Sequence, residues 1–124
     1  MQTQDTFPHA ADNTTPQLIE FIDDKLDSLV KWDLIQFFYR KPGLICSAPK
    51  IASMIGRDLR KVDYELREMS QRGLLDTRDK TGVRVYCLST DDNTLKMIAQ
   101  FVKACDNRQF REAAIYHTVT VTKR

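Results

Sequence analysis

The stretch IASMIGRDLRKVDYELREMSQRGLL, residues 51–75, sets the architecture of this chain. It carries two helical signals with a glycine after each. Ile51-Ala52-Ser53-Met54-Ile55 runs into Gly56, Asp58 then stands as an N-cap, and a longer helix reaches about Arg72 before Gly73 stops it. At ~100° per residue with Val62 at zero, Leu66 falls at about 40° and Met69 at about −20°, one narrow stripe for a core. Arg60, Arg67, Gln71 and Tyr64 fall at roughly 160°, 140°, 180° and 200°, so the outer face of the 58–72 helix offers two guanidiniums, an amide and a phenol.

Working outward, Ser47 reads as the cap of the shorter helix, Ala48 to Ile55, with Pro49 in its first turn. The apolar Leu44-Ile45-Cys46 before it predicts a short strand. After Gly73, the runs Leu74 to Arg78 and Val83 to Leu88 predict two strands. Asp79-Lys80-Thr81-Gly82 joins them, with Gly where a hairpin needs positive φ. Leu18, Ile19, Ile22, Leu26, Leu29 and Val30 recur at helical steps after a Thr15-Pro16 start, and Leu34, Phe37 and Phe38 renew the pattern up to Lys41-Pro42-Gly43. Residues 16–40 are thus one helix, or two with a break near Asp27-Ser28. Trp32, Phe37, Phe38, Tyr39, Phe101 and Phe110 read as core aromatics. Residues 90–115 return to helical spacing through Leu95, Ile98, Val102 and Cys105. Residues 1–15 are polar and predict a disordered segment. The division is therefore 1–15, a domain over 16–115, and a C-terminal tail over 116–124, whose His117-Thr-Val-Thr-Val-Thr alternates like a strand.

Helix, strand, helix, helix, hairpin, helix is the element order of a winged helix-turn-helix domain, and four pieces of sequence carry the resemblance. Ile51-Ala52-Ser53-Met54-Ile55-Gly56 resembles the I-A-x-x-L-G that ends the second helix of such domains. Val62, Leu66 and Met69 resemble the apolar positions of the recognition helix, and Gly73-Leu74-Leu75 resembles the G-L-[LV] that leaves it. Val85-Tyr86-Cys87-Leu88-Ser89 is similar to the returning strand. The match covers roughly residues 29–105 without a gap. It implies a mainly α fold with a small β-sheet (α+β), extended here by extra N- and C-terminal helices. It further implies sequence-specific binding of double-stranded DNA and transcriptional regulation, as in bacterial and archaeal regulators of the MarR and ArsR kinds. The 58–72 helix would enter the major groove and the 76–86 wing would lie on the backbone. In the same pattern Tyr86 and Leu88 point towards the helices, leaving Val83, Val85 and Cys87 on an outer sheet face that needs a cover from the terminal segments or from a second chain.

The residues name the candidate contacts. Arg60, Tyr64, Arg67 and Gln71 suit base edges or their surroundings. Lys50, Arg57, Lys61, Arg78, Lys80 and Arg84 suit phosphates, and Ser47 begins a helix whose first N–H groups can meet one. Charge supports the placement. Residues 1–30 hold six acids and one base (−5), and residues 31–124 hold 18 bases and 11 acids (+7). Within 57–72, however, five bases face four acids, a balance of only +1. Asp63 borders the outward face, where phosphates repel it. The alternative is a winged-helix adaptor that binds a protein rather than DNA. The spacing of Leu95, Ile98, Val102 and Cys105 fits a helix-helix seam and predicts a homodimer through the terminal helices.

Other chemistry finds little footing. There is no G-x-S-x-G, P-loop or H-E-x-x-H, and Gly occurs only four times, so an enzyme is not expected. His9 and His117 lie near the termini, and Cys46, Cys87 and Cys105 are scattered, so neither a metal site, a cofactor nor a small-molecule ligand is predicted. Cys46 and Cys87 fall on strands that pair in the resembled fold, which leaves a redox couple to be weighed against plain thiols. No apolar run is long enough to span a membrane, and Asp5, Pro8, Asp12 and Pro16 occupy the place of a signal sequence, so the chain reads as cytoplasmic. At 124 residues it holds one core of ordinary size.

Overall fold

The computed structural model describes residues 14–122, and the remainder of the expected disordered segment, 1–13, lies outside them. Six helices and one small antiparallel sheet follow in the order α1 (Thr14–Lys25), α2 (Leu29–Tyr39), β1 (Ile45–Ser47), α3 (Ala48–Ile55), α4 (Leu59–Gln71), β2 (Leu75–Lys80), β3 (Val83–Leu88), α5 (Asp92–Ala104), α6 (Arg108–Thr122). The fold is mainly α with a three-stranded sheet of order β1-β3-β2.

Local chemistry accounts for most boundaries. The 16–40 pattern is two helices, because Ser28 is extended and its side chain accepts from the Lys31 N–H at the start of α2. α1 begins at Thr14, so Thr15 is its second residue rather than its cap. Asp58 caps α4 by accepting from Lys61 N–H at 3.1 Å. At the other end Gly73 turns left-handed (φ +83), and the Leu74 N–H returns to the Met69 carbonyl at 2.9 Å, closing a Schellman-type end. Ser47 occupies the cap position of α3 without a side-chain cap bond. It is committed to the sheet, paired with Val85.

α2 is the central element. Val30, Lys31, Trp32, Leu34, Ile35 and Phe38 are all buried, and α4, α5, α6 and β3 pack around it. α4 contributes Val62, Leu66 and Met69, each fully buried. Trp32 meets Phe101 edge to face at 5.0 Å, so the predicted core aromatics Trp32, Phe38, Phe101 and Phe110 are core, whereas Tyr39 is exposed.

Three expectations for the C-terminal part change. The 90–115 pattern is two helices, parted at Cys105–Asn107, where the Asn107 carbonyl oxygen of the side chain accepts from Phe110 N–H at 2.9 Å and starts α6. The strand-like His117–Thr122 is helical, the last part of α6. Phe110, Ala114 and Thr118 are buried at steps of four, so docking of that stripe outweighs the β-branched alternation. Finally, the seam of Ile98, Val102 and Cys105 is buried within the chain itself, α5 packing on α1 and α2.

Register assigns the sheet faces. Cys46, Tyr86 and Thr77 lie opposite one another on one face with the Leu75/Leu88 and Asp79/Arg84 pairs. Ser47, Val85 and Arg78 share the other face with Ile45, Cys87 and Asp76, and with the Lys80/Val83 pair. Cys46 and Cys87 therefore project to opposite faces and are free thiols, which removes the redox couple. Cys105 is likewise no thiolate, because burial pushes it up to about 11. On the second face Val85 is buried while Ile45 and Val83 stay 38% and 48% exposed. α5 and α6 pack on α1 and α2.

Candidate nucleic-acid interface

The α3-turn-α4 unit and the β2-β3 hairpin carry the candidate contact residues, with Ser47 just before them at the end of β1. α3 and α4 pack on each other, and α4 packs on β2, so the hairpin and the longer helix are held as one unit. The stripe arithmetic holds in three dimensions: Arg60, Tyr64, Arg67 and Gln71 are exposed, opposite the buried Val62, Leu66 and Met69.

Partners divide the basic residues into two groups. Lys50, Arg60, Arg78, Lys80 and Arg84 are exposed and form no ion pair or side-chain hydrogen bond among the described residues. The others are engaged. Arg57 donates from Nε (3.0 Å) and Nη2 to Asp33 Oδ2, strapping the α3–α4 turn to α2. Lys61 pairs with Glu65 at 2.9 Å and lies 5.7 Å from the centre of the Tyr64 ring. Arg67 donates from Nε to Asp63 Oδ2 at 3.0 Å, one turn earlier on α4. Tyr64 donates its hydroxyl to Glu68 at 2.9 Å, which holds its own proton more firmly and raises its pKa. Gln71 is exposed, and Ser47 is half-buried at the sheet edge of α3.

The hairpin distributes its charge on both faces. Arg78 and Lys80 lie on the outer face beside Val85 and Val83, and Arg84 lies on the other face opposite Asp79. A polyanion lying along the hairpin tip would thus meet cations from two sides.

Two of the α4 acids, Glu65 and Glu68, are used on the inner side of the helix. Glu65 is only 1% exposed, and its carboxylate faces Lys31 of α2 at 2.6 Å, the Ser28 hydroxyl at 3.0 Å and Lys61. Glu68 bonds Lys31 at 2.9 Å and Arg72 at 3.1 Å. Asp27, from the acidic N-terminal part, completes the cluster with bonds of 3.0 Å to Lys31 and Arg72. Burial alone pushes Glu65 and Asp27 up, but the hydrogen bonds from Lys31, and from Arg72 to Asp27, outweigh it and hold both below the usual carboxylate range. The Lys31 bond likewise holds Glu68 down. Burial pushes the Lys31 ammonium down, and its three carboxylate partners more than reverse this. Lys31 is the residue that sequence reading missed. Its signal was a lone lysine in the otherwise apolar LVKW turn, together with Glu65 at about −60° on the α4 wheel, beside Met69.

Leu59, Met54 and Tyr64 are 45%, 50% and 54% exposed around the same turn. Two open grooves lie elsewhere, one lined by Gln17, Glu20, Phe21, Asp23, Asp24 and Met97, the other by Asp33, Gln36, Phe37, Arg40, Lys41 and Ile55. Neither converges buried polar groups on one point, as a small-molecule site does. Among the described residues, no cluster of three His, Cys, Asp or Glu is arranged for a metal ion, and no helix is long and apolar enough to cross a membrane.

No family model matches the chain, and no curated protein matches it. Among solved structures it is similar to a possible transcriptional regulator from Methanosarcina mazei Go1, at 13% identity over 92% of this chain and 89% of that one, with a TM-score of 0.47.

Proposed function

We propose that this protein is a winged helix-turn-helix regulator that binds double-stranded DNA in a sequence-dependent way. α4 enters the major groove, the β2-β3 hairpin serves as the wing on the backbone, and the start of α3 meets a phosphate. One observation carries the reading: the acids of α4 are consumed by Lys31, Lys61, Arg67 and Arg72, while Lys50, Arg60, Arg78, Lys80 and Arg84 stand exposed without partners among the described residues. Within residues 57–72 Arg60 is the base left unpaired among the described residues, so the open positive charge of this surface comes from Lys50 and from Arg78, Lys80 and Arg84 of the hairpin as much as from α4. Arg60, Tyr64, Arg67 and Gln71 form the base-facing set. Ser47, Lys50, Arg57, Lys61, Arg78, Lys80 and Arg84 form the phosphate-facing set.

The test is fluorescence anisotropy with a random-sequence duplex of about 25 base pairs across a salt series. Log affinity is expected to fall with log salt at roughly −0.9 per phosphate contacted. Arg84→Ala is expected to weaken every sequence alike and reduce that slope by about one contact, whereas Arg60→Ala costs sequence preference. Equal binding by wild type and both variants, or no binding at low salt, would sink the proposal.

A second reading rests on the exposed Met54, Leu59 and Tyr64. Such a patch suits a protein partner, which makes the chain a winged-helix adaptor with salt-insensitive, negligible DNA affinity. We also propose a homodimer through the terminal helices. With the α5 seam used internally, Tyr116 (68% exposed) and Val119 (41%), one turn apart on α6, are its contact.

A further inference from the structure

The carboxylate of Asp63 is the awkward group on the outward face of α4: it is 39% exposed, on the surface offered to a polyanion. Its hydrogen bond gives it a use. Asp63 Oδ2 takes only the Nε–H of Arg67, at 3.0 Å, and no described residue takes either Nη group. A guanidinium carries five N–H donors in a rigid plane, so a partner at Nε fixes the plane and leaves the Nη edge pointing away. The two side-by-side N–H groups of that edge can reach O6 and N7 of guanine together, the commonest specific contact in the major groove. The other bases nearby are held differently. Asp33 takes both Nε and Nη2 of Arg57, the Lys61 ammonium sits on buried Glu65, and Arg72 is bound by Asp27 and Glu68 on the inner side. Arg60 has no partner among the described residues. Arg67 is thus the one arginine in this region both held in place and left open at its bidentate edge.

We propose that Asp63 is a positioning residue that presents the Arg67 guanidinium to guanine, so that α4 discriminates one G·C pair through Arg67. The inference rests on the DNA-binding reading above. A flexible arginine loses several rotamers on reaching a base, and the Asp63 bond settles part of that ordering before DNA arrives. The hydrogen bond to Asp63, and after it the Asp63 charge, raise the pKa of the Arg67 guanidinium above its ordinary value.

The experiment is selection of full-length protein on a randomised duplex library at low salt, followed by direct affinities on the winning sequence and on its single-base variants. Wild type, Arg67→Ala, Arg67→Lys, Asp63→Ala and Asp63→Asn are compared, with circular dichroism as the folding control. Wild type is expected to prefer G·C at one position by about 5- to 150-fold. Arg67→Ala abolishes this preference, and so does Arg67→Lys, which keeps the charge but loses the planar fork. Asp63→Ala loses most of it while binding random duplex slightly more tightly, because a carboxylate near phosphates has gone. Asp63→Asn retains it, because the amide oxygen still accepts from Nε. If Asp63→Ala selects the wild-type sequences with undiminished preference, or Asp63→Asn behaves like Asp63→Ala, this inference fails while DNA binding stands. If wild type binds no duplex, both fall together.

Discussion

Lys31 shows what a single side chain contributes here. It is 2% exposed among Asp27, Glu65 and Glu68, and fixes the start of α2 to the inner side of α4. Removing one partner of a buried pair strands the other charge, whereas removing both spares that cost. Lys31→Met is therefore expected to cost about 3–5 kcal/mol in urea unfolding, and adding Glu65→Leu to recover most of it. A Lys31→Met protein as stable as wild type would refute the assignment. The direction with pH follows from the same contacts. Asp27, Glu65 and Glu68 titrate below their ordinary range in the folded state, so their contribution is complete at neutral pH and is lost as pH falls below about 4.5 towards the folded values. Lys31 titrates above its ordinary value, so its contribution is present below about pH 10 and fades only in stronger alkali. The double variant should show the shallower acid limb. Glu65 was legible on the α4 wheel, but its partner lies 34 residues earlier on another helix, which no local pattern reports.

The hairpin turn and the last helix show where element-level reading succeeds and fails. Lys80 pairs with Val83, so the turn is Thr81-Gly82, with φ +50 and +83. A two-residue connection with both φ positive is the type I′ geometry that matches the strand twist. Gly82 announced itself in the sequence; Thr81 did not, because a β-branched residue seldom enters that region. Its hydroxyl reaches the Lys80 carbonyl at 2.6 Å, yet the backbone strain remains. Thr81→Asn is expected to raise stability by roughly 1 kcal/mol, and Gly82→Ala to lower it by about 1–2 kcal/mol. An unchanged urea midpoint in Thr81→Asn would show that the turn carries no strain. The end of α6, His117–Thr122, failed to read as a helix for a different reason. The helix's buried stripe of Phe110, Ala114 and Thr118 ends on a threonine, so a search for apolar side chains loses the period where the helix still docks.

At the scale of the molecule, the capped helix pair and the hairpin were legible because cap, period and turn signals agree over residues 47–88. The packing of α1, α5 and α6 was not, because an amphipathic stripe states that a face is covered without naming the cover. The α5 stripe is satisfied by α1 and α2, which transfers the dimer question to α6. Replacing both Tyr116 and Val119 by Ser is expected to halve the mass found by sedimentation equilibrium while leaving the melting temperature within a few degrees. A wild-type monomer at micromolar concentration would remove the dimer. The Trp32–Phe101 contact has one more consequence. Trp32 is the sole tryptophan, 3% exposed, with its indole N–H donating to the Leu26 carbonyl at 2.9 Å. Its ring spans the joint between α2 and α5, so the chain carries a built-in optical gauge of that joint. Ultraviolet emission stays blue while α5 is docked and reddens when water reaches the indole, with no dye attached.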